Sequence, residues 1–87
     1  MTYDLDFTKV AQGDIIFHKK AGNKSTLNKI ANLLEELTEH PFSGTGKPEP
    51  LKYKLSGKWS RRITREHRLV YEVLENVVVI HSAKGHY

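Results

Sequence analysis

A carboxylate, an imidazole and several guanidinium groups are the parts needed to cleave RNA without a metal ion. This sequence holds all three: Glu49 within Lys47-Pro48-Glu49-Pro50, four arginines between residues 61 and 68, and the pair His86-Tyr87. A base must take the proton of a ribose 2′-OH, and an acid must protonate the departing 5′-oxygen. Cations must hold the charge that builds on the phosphorane between them. Each proton-transfer role is worth roughly 10²–10⁴-fold, and each preorganised charge donor ~3–4 kcal/mol by analogy with oxyanion-hole donors. A solvated basic surface uses the same residue types. Spacing alone does not choose between the two readings.

Other chemistries are poorly served. There is no cysteine, which removes disulfides, thiolate zinc sites and thiol nucleophiles together. His18, His40, His67, His81 and His86 show neither HxH nor HxxxH spacing. The run Gly44-Thr45-Gly46-Lys47 ends like a P-loop, but Pro48 replaces the required Ser or Thr and Pro41 the first Gly. No serine lies in a nucleophile-elbow motif. Neither a metal nor another cofactor is expected.

The charge is concentrated where the candidate residues lie. The chain of 87 residues carries a formal net charge of +4, yet residues 47–68 alone carry +6 and the remainder −2. Such a cluster suggests a polyanionic partner, with a merely solvated face as the alternative. At 87 residues the chain is expected to form one domain over 1–87 with a single modest core. No long apolar run is present, and MTYDLDFTKV lacks the basic and apolar segments of a signal peptide. A cytoplasmic protein is the expectation.

The elements that must position these groups follow from periodicity. Tyr3, Leu5 and Phe7 alternate with polar residues, as in a half-buried strand. Thr8 can cap a helix to about Ala21, with Val10, Ile15 or Ile16, and Phe17 facing inward and Gly22-Asn23 as the break. Leu27, Ile30, Ala31, Leu34 and Leu37 form an apolar stripe on a second helix, ended by Pro41. The segment from Pro41 to Pro50 reads as a stiff loop that holds Glu49 on extended backbone. Residues 51–55, 59–64, 67–74 and 77–84 read as four strands in a meander, giving an α+β fold with the first strand paired inside the sheet.

Period-two alternation then assigns faces. Ser60, Arg62 and Thr64 fall on one side of their strand, and Trp59, Arg61 and Ile63 on the other. In the following strand Leu69, Tyr71 and Val73 form the apolar side and Arg68 lies opposite. Arg62 and Arg68 are therefore predicted to share the face the helices leave open, and a one-residue slip would reverse this. Trp59 and Tyr71 read as packing residues, His67 and His81 as structural, and His18 and His40 as helix-end residues away from the site.

The stretch Phe42–Val73, FSGTGKPEPLKYKLSGKWSRRITREHRLVYEV, together with His86-Tyr87, closely resembles the YoeB/Txe toxins of the RelE superfamily. The pattern is Gly-x-Gly-Lys-Pro-Glu-Pro-Leu, then Leu-Ser-Gly-x-Trp-Ser-Arg-Arg-Ile, then Glu-His-Arg-Leu-Val-Tyr and a final His-Tyr. The resemblance implies a microbial RNase-like fold, an antiparallel-rich sheet packed on an N-terminal two-helix hairpin. It implies a type II toxin that acts as a metal-independent, ribosome-dependent mRNA endoribonuclease. Glu49 would be general base, Arg62 and Arg68 phosphate stabilisers, His86 general acid, and Tyr87 an orienting group. Lys52 matches a lysine expected near backbone phosphates, and Lys47, Lys54, Arg61, Arg65 and Lys84 are candidate substrate or rRNA contacts. The implied partners are a YefM/Axe-type antitoxin, the ribosome with its mRNA, and a second copy in a homodimer. The alternative is a non-catalytic toxin of the RelE/ParE fold that acts by binding its target.

One departure stands out. The family tail often carries Arg and then an aromatic residue before His-Tyr, whereas this chain has Lys84-Gly85. Lys84 keeps the charge. Gly85 is expected to loosen the backbone beside the implied acid.

Overall fold

The computed structural model describes residues 2–85. Strand β1 (Asp4–Phe7) leads into helices α1 (Lys9–Lys20) and α2 (Lys24–Leu37). A long loop then reaches β2 (Glu49–Pro50), a single 3₁₀ turn (Tyr53–Leu55), and strands β3 (Lys58–Arg62), β4 (Arg68–Val73) and β5 (Val77–Ser82). The strand order is β1-β5-β4-β3-β2, antiparallel except that β1 runs parallel to β5. The α+β layout is thus present, with β3 to β5 as the last three strands of the expected meander and the two-residue β2 in place of its first. No described helix is long and apolar enough to cross a membrane.

Both helices cover one face of the sheet. Ala11, Ile30, Leu33 and Leu37 meet Ile63, Leu69, Tyr71, Val78 and Ile80 in one buried cluster. Thr8 caps α1 as its pattern predicts: the Ala11 N–H donates to Thr8 Oγ1 at 3.1 Å. Removing such a cap costs about 1 kcal/mol. At the other end, Gly22 adopts φ 72°, the left-handed conformation that lets the chain reverse into α2.

Several sequence expectations are corrected. Helix α1 turns Ala11 and His18 inward and leaves Val10, Ile16 and Phe17 exposed. Ala11 joins the core cluster and His18 finds a hydrogen-bond partner in the Ala83 carbonyl, so the buried side does not follow the apolar count. In α2 the buried line is Thr26, Ile30, Leu33 and Leu37, so Leu33 replaces Ala31 and the helix stops before Pro41. Residues 51–55 are no strand: after the two paired residues Glu49 and Pro50 the chain coils into the 3₁₀ turn. Strand β1 sits at the sheet edge rather than inside, because its only strand partner is β5.

Candidate functional site

The hairpin of β3 and β4 pairs Ser60 with Val70, Arg61 with Leu69 and Arg62 with Arg68. Short β2 adds Glu49 opposite Ser60. Alternation from Leu69 and Tyr71, both in the core, puts Arg61 on the helix-covered face and Ser60, Arg62, Arg68 and Glu49 on the other. On that open face Arg68 Nη1 lies 3.4 Å from Glu49 Oε1, the arginine side chain 17% and the carboxylate 51% exposed. Arg62 is exposed and has no ion pair among the described residues. The structure therefore brings Glu49, Arg62 and Arg68 to one face, the one that periodicity assigned to the two arginines.

Arg61 is the reverse case, and its assignment as an RNA or surface contact is corrected. The residue is completely buried. Its Nε–H donates to Tyr71 Oη at 3.2 Å. One Nη1–H bond goes to Glu36 Oε1 at 3.0 Å and another to the Thr45 carbonyl at 3.3 Å. The Nη2 group donates to the Ser43 carbonyl at 2.8 Å and to the His40 carbonyl. A guanidinium has five N–H donors, and all are engaged, leaving none for a phosphate.

These bonds give the loop after α2 its shape. The Thr45 N–H donates to Glu36 Oε1 at 2.8 Å, and Tyr71 Oη donates to the Pro41 carbonyl at 2.8 Å. Hydrogen bonding to Thr45, and less strongly to Arg61, holds the Glu36 carboxyl below its ordinary 4.5. Burial pushes the Tyr71 phenol above 10.0. Gly46 closes the loop onto β3. Its carbonyl accepts the Arg62 N–H at 2.7 Å, and a Cβ there would lie 2.9 Å from the Arg62 carbonyl oxygen. Because the loop runs straight into Lys47-Pro48-Glu49, the buried arginine underpins the segment that presents Glu49.

The chain beyond β5 is held by a second set of side chains. Asp14 Oδ2 accepts the Ala83 N–H at 2.9 Å, and His18 Nε2–H donates to the Ala83 carbonyl at 2.9 Å. One turn apart on α1, these two residues take both polar groups of Ala83. His67 packs edge-on against His18, with ring centroids 4.7 Å apart, and its Nδ1 accepts the Gly85 N–H at 2.9 Å. The Gly85 carbonyl accepts the Arg68 N–H at 3.0 Å. Gly85 is thus pinned on both sides in a left-handed conformation, φ 73°, which corrects the expectation of a loosened backbone. His18, expected far from the site, is buried beneath this segment. His86 and Tyr87 lie outside the described residues.

The cations divide. Lys47, Lys52, Lys54 and Arg65 are exposed. Lys84 points the other way, its ammonium 4.2 Å from the centroid of Phe17 on α1. A cleft of about 340 Å³ opens beside Glu49, lined by Pro50, Leu51, Lys52, Tyr53 and Leu55. Sequence reasoning missed Asp14, His18, Glu36 and Tyr53. For Asp14 and His18 an i, i+4 polar pair on an otherwise buried helix face was the available signal.

Known proteins agree with this layout. The family description "YoeB-like toxin of bacterial type II toxin-antitoxin system" matches residues 7–87. The chain belongs to that family. Toxin YoeB of Escherichia coli (strain K12) is 51% identical over 65 residues, which cover 75% of this chain and 77% of the relative. The YoeB dimer from Staphylococcus aureus superposes with a TM-score of 0.88 at 39% identity, covering all of both chains. YoeB in the YoeB-YefM complex of the same organism gives 0.86 at 40% identity, again over the full length of both. This chain is a YoeB-like toxin of a type II toxin-antitoxin system.

Proposed function

We propose that this YoeB-like toxin is a metal-independent mRNA endoribonuclease that works on the ribosome and so arrests translation. The observation that carries the reading is the open-face cluster. Glu49 stands 3.4 Å from Arg68, and Arg62 is the direct cross-strand neighbour of Arg68. Like charges opposite one another in a sheet are unfavourable, and an anion seated between the two guanidinium groups removes that cost.

The reaction assigns a task to each group. Glu49 accepts the proton of a ribose 2′-OH while its oxygen attacks the adjacent phosphorus. Arg62 and Arg68 hold the charge that develops on the phosphorane. The P–O5′ bond breaks as His86 gives a proton to the leaving oxygen, yielding a 2′,3′-cyclic phosphate and a free 5′-OH. Tyr87 orients the phosphate. What supports a role for the tail in this reading is that the chain up to Gly85 is pinned beside Arg68. A carboxylate is a weak base for a hydroxyl proton, so positioning of the strand by the ribosome is part of this reading.

The exposed Lys47, Lys52, Lys54 and Arg65 supply non-specific attraction to the RNA backbone. By similarity to the complex and the dimer of the Staphylococcus aureus relative, the partners are a YefM-type antitoxin and a second copy of the chain.

The test is to express the wild type, Glu49→Gln and His86→Gln and to map mRNA 5′ ends on translating ribosomes. New 5′ ends are expected with the wild type, and each variant should reduce them by roughly 10²–10⁴-fold. Growth arrest by the wild type without new 5′ ends would sink the nuclease reading in favour of a toxin that only binds its target.

A further inference from the structure

Tyr53 is the most exposed large apolar side chain in the described structure, at 92%. Its backbone is also unusual, with φ 57°, a left-handed conformation that L residues with a large side chain rarely adopt. Local strain of this kind persists where surrounding structure enforces it, and it clusters at functional sites. The fold enforces it here. The chain leaves β2, buries Leu51 and then turns immediately through Tyr53–Leu55, which aims the ring outward. Packing gives no reason for an aromatic residue at this point.

The surroundings suggest one. The ring lines the same 340 Å³ cleft as Glu49, and exposed Lys52 and Lys54 flank it in the chain. A flat, solvated aromatic face beside cations is how proteins hold single-stranded nucleic acid, with bases stacked on the ring and phosphates drawn to the charges. The other aromatic residues nearby are committed elsewhere. Tyr71 is buried on Arg61, and Trp59 packs on Phe42 with ring centroids 5.0 Å apart.

We propose that Tyr53 is a stacking platform for an unpaired base of the RNA strand, seating the nucleotide next to the ribose that faces Glu49. The proposal rests on the nuclease reading and names the subsite that reading lacks. It follows that the ring, and neither the hydroxyl nor the backbone, is what the site uses.

The backbone conformation supplies a clean test. Glycine adopts a φ of this sign without steric cost, so Tyr53→Gly removes the ring and relieves the strain together. Cleavage on translating ribosomes, thermal unfolding and solution mass are measured for the wild type, Tyr53→Gly and Tyr53→Phe. Tyr53→Gly is expected to lose about ten- to a hundredfold in cleavage while its unfolding midpoint holds or rises. Tyr53→Phe recovers most of the loss. Wild-type levels of cleavage by Tyr53→Gly overturn the platform, as does a Tyr53→Phe loss as large as that of glycine. A loss accompanied by a lower midpoint or a changed oligomeric state also overturns it, and assigns the ring to folding or to contact with a second copy. If the wild type itself produces no new 5′ ends, the nuclease reading fails and the platform falls with it.

Discussion

Arg61 and Arg62 are neighbours in the chain with identical side chains, and they lie on opposite faces of the same strand. Arg61 is enclosed between the sheet and the 40–45 loop with every donor engaged, whereas Arg62 is exposed on the open face opposite Arg68. The inner arginine organises a loop. The outer one meets the substrate in the proposed reaction. A side chain's chemistry is therefore decided by the parity of its position and by what the other elements bring to that face. The two faces of the strand divide the labour between stability and, in the proposed reaction, contact with the substrate.

Substitutions that separate the two arginines test this division most sharply. Arg61→Ala should cost ~3–5 kcal/mol, because it empties a fully buried site and unpairs three loop carbonyls, and chemical denaturation measures it directly. That is a large part of the total stability of a domain this size. Arg62→Ala should leave the denaturation midpoint within ~0.5 kcal/mol of the wild type. Its cleavage should fall by about 10²–10³-fold. A folded, active Arg61→Ala protein, or an unstable Arg62→Ala protein, would break the comparison.

Smaller effects sharpen it. Asp14→Ala unpairs the Ala83 N–H and should destabilise by ~1–2 kcal/mol. Cleavage should fall further than that stability loss explains, because the displaced segment leads into His86. Asp14→Asn keeps an acceptor oxygen and should restore both. Parallel denaturation and cleavage measurements read the two effects apart. The least effect concerns pH. The Glu36 carboxyl is lowered in the folded state, so its contribution to stability is complete above pH 4.5 and disappears as the pH falls below that value. Glu36→Gln should cost on the order of 1 kcal/mol at neutral pH and should flatten the stability profile on its acid side.

The sequence made the architecture legible where a pattern repeats. The strands β3 to β5 and the shared face of Arg62 and Arg68 follow from period-two alternation carried over several residues, and the second helix from its helical stripe. Where few residues or non-periodic contacts decide, the pattern misled. The alternation of LKYKL runs into a 3₁₀ turn over Tyr53–Leu55, with Leu51 buried before it and Tyr53 thrown outward. The orientation of α1 depends on Ala11 being small and on His18 finding a carbonyl, neither of which hydrophobicity ranks. Alternation put Arg61 on the covered side, but the loop carbonyls that make such a position tolerable carry no sequence signature.

The sheet ends at Ser82, yet the next residue is still bonded as though a neighbouring strand were present. Asp14 and His18 act as that strand, offering an acceptor and a donor from the side of a helix. The two bonds join residues 69 and 65 positions apart in the sequence. Closing loops this long carries a conformational-entropy cost that the contacts of the finished fold repay. In amide hydrogen exchange, protection at Ala83 should follow the opening of α1 rather than that of the strand before it.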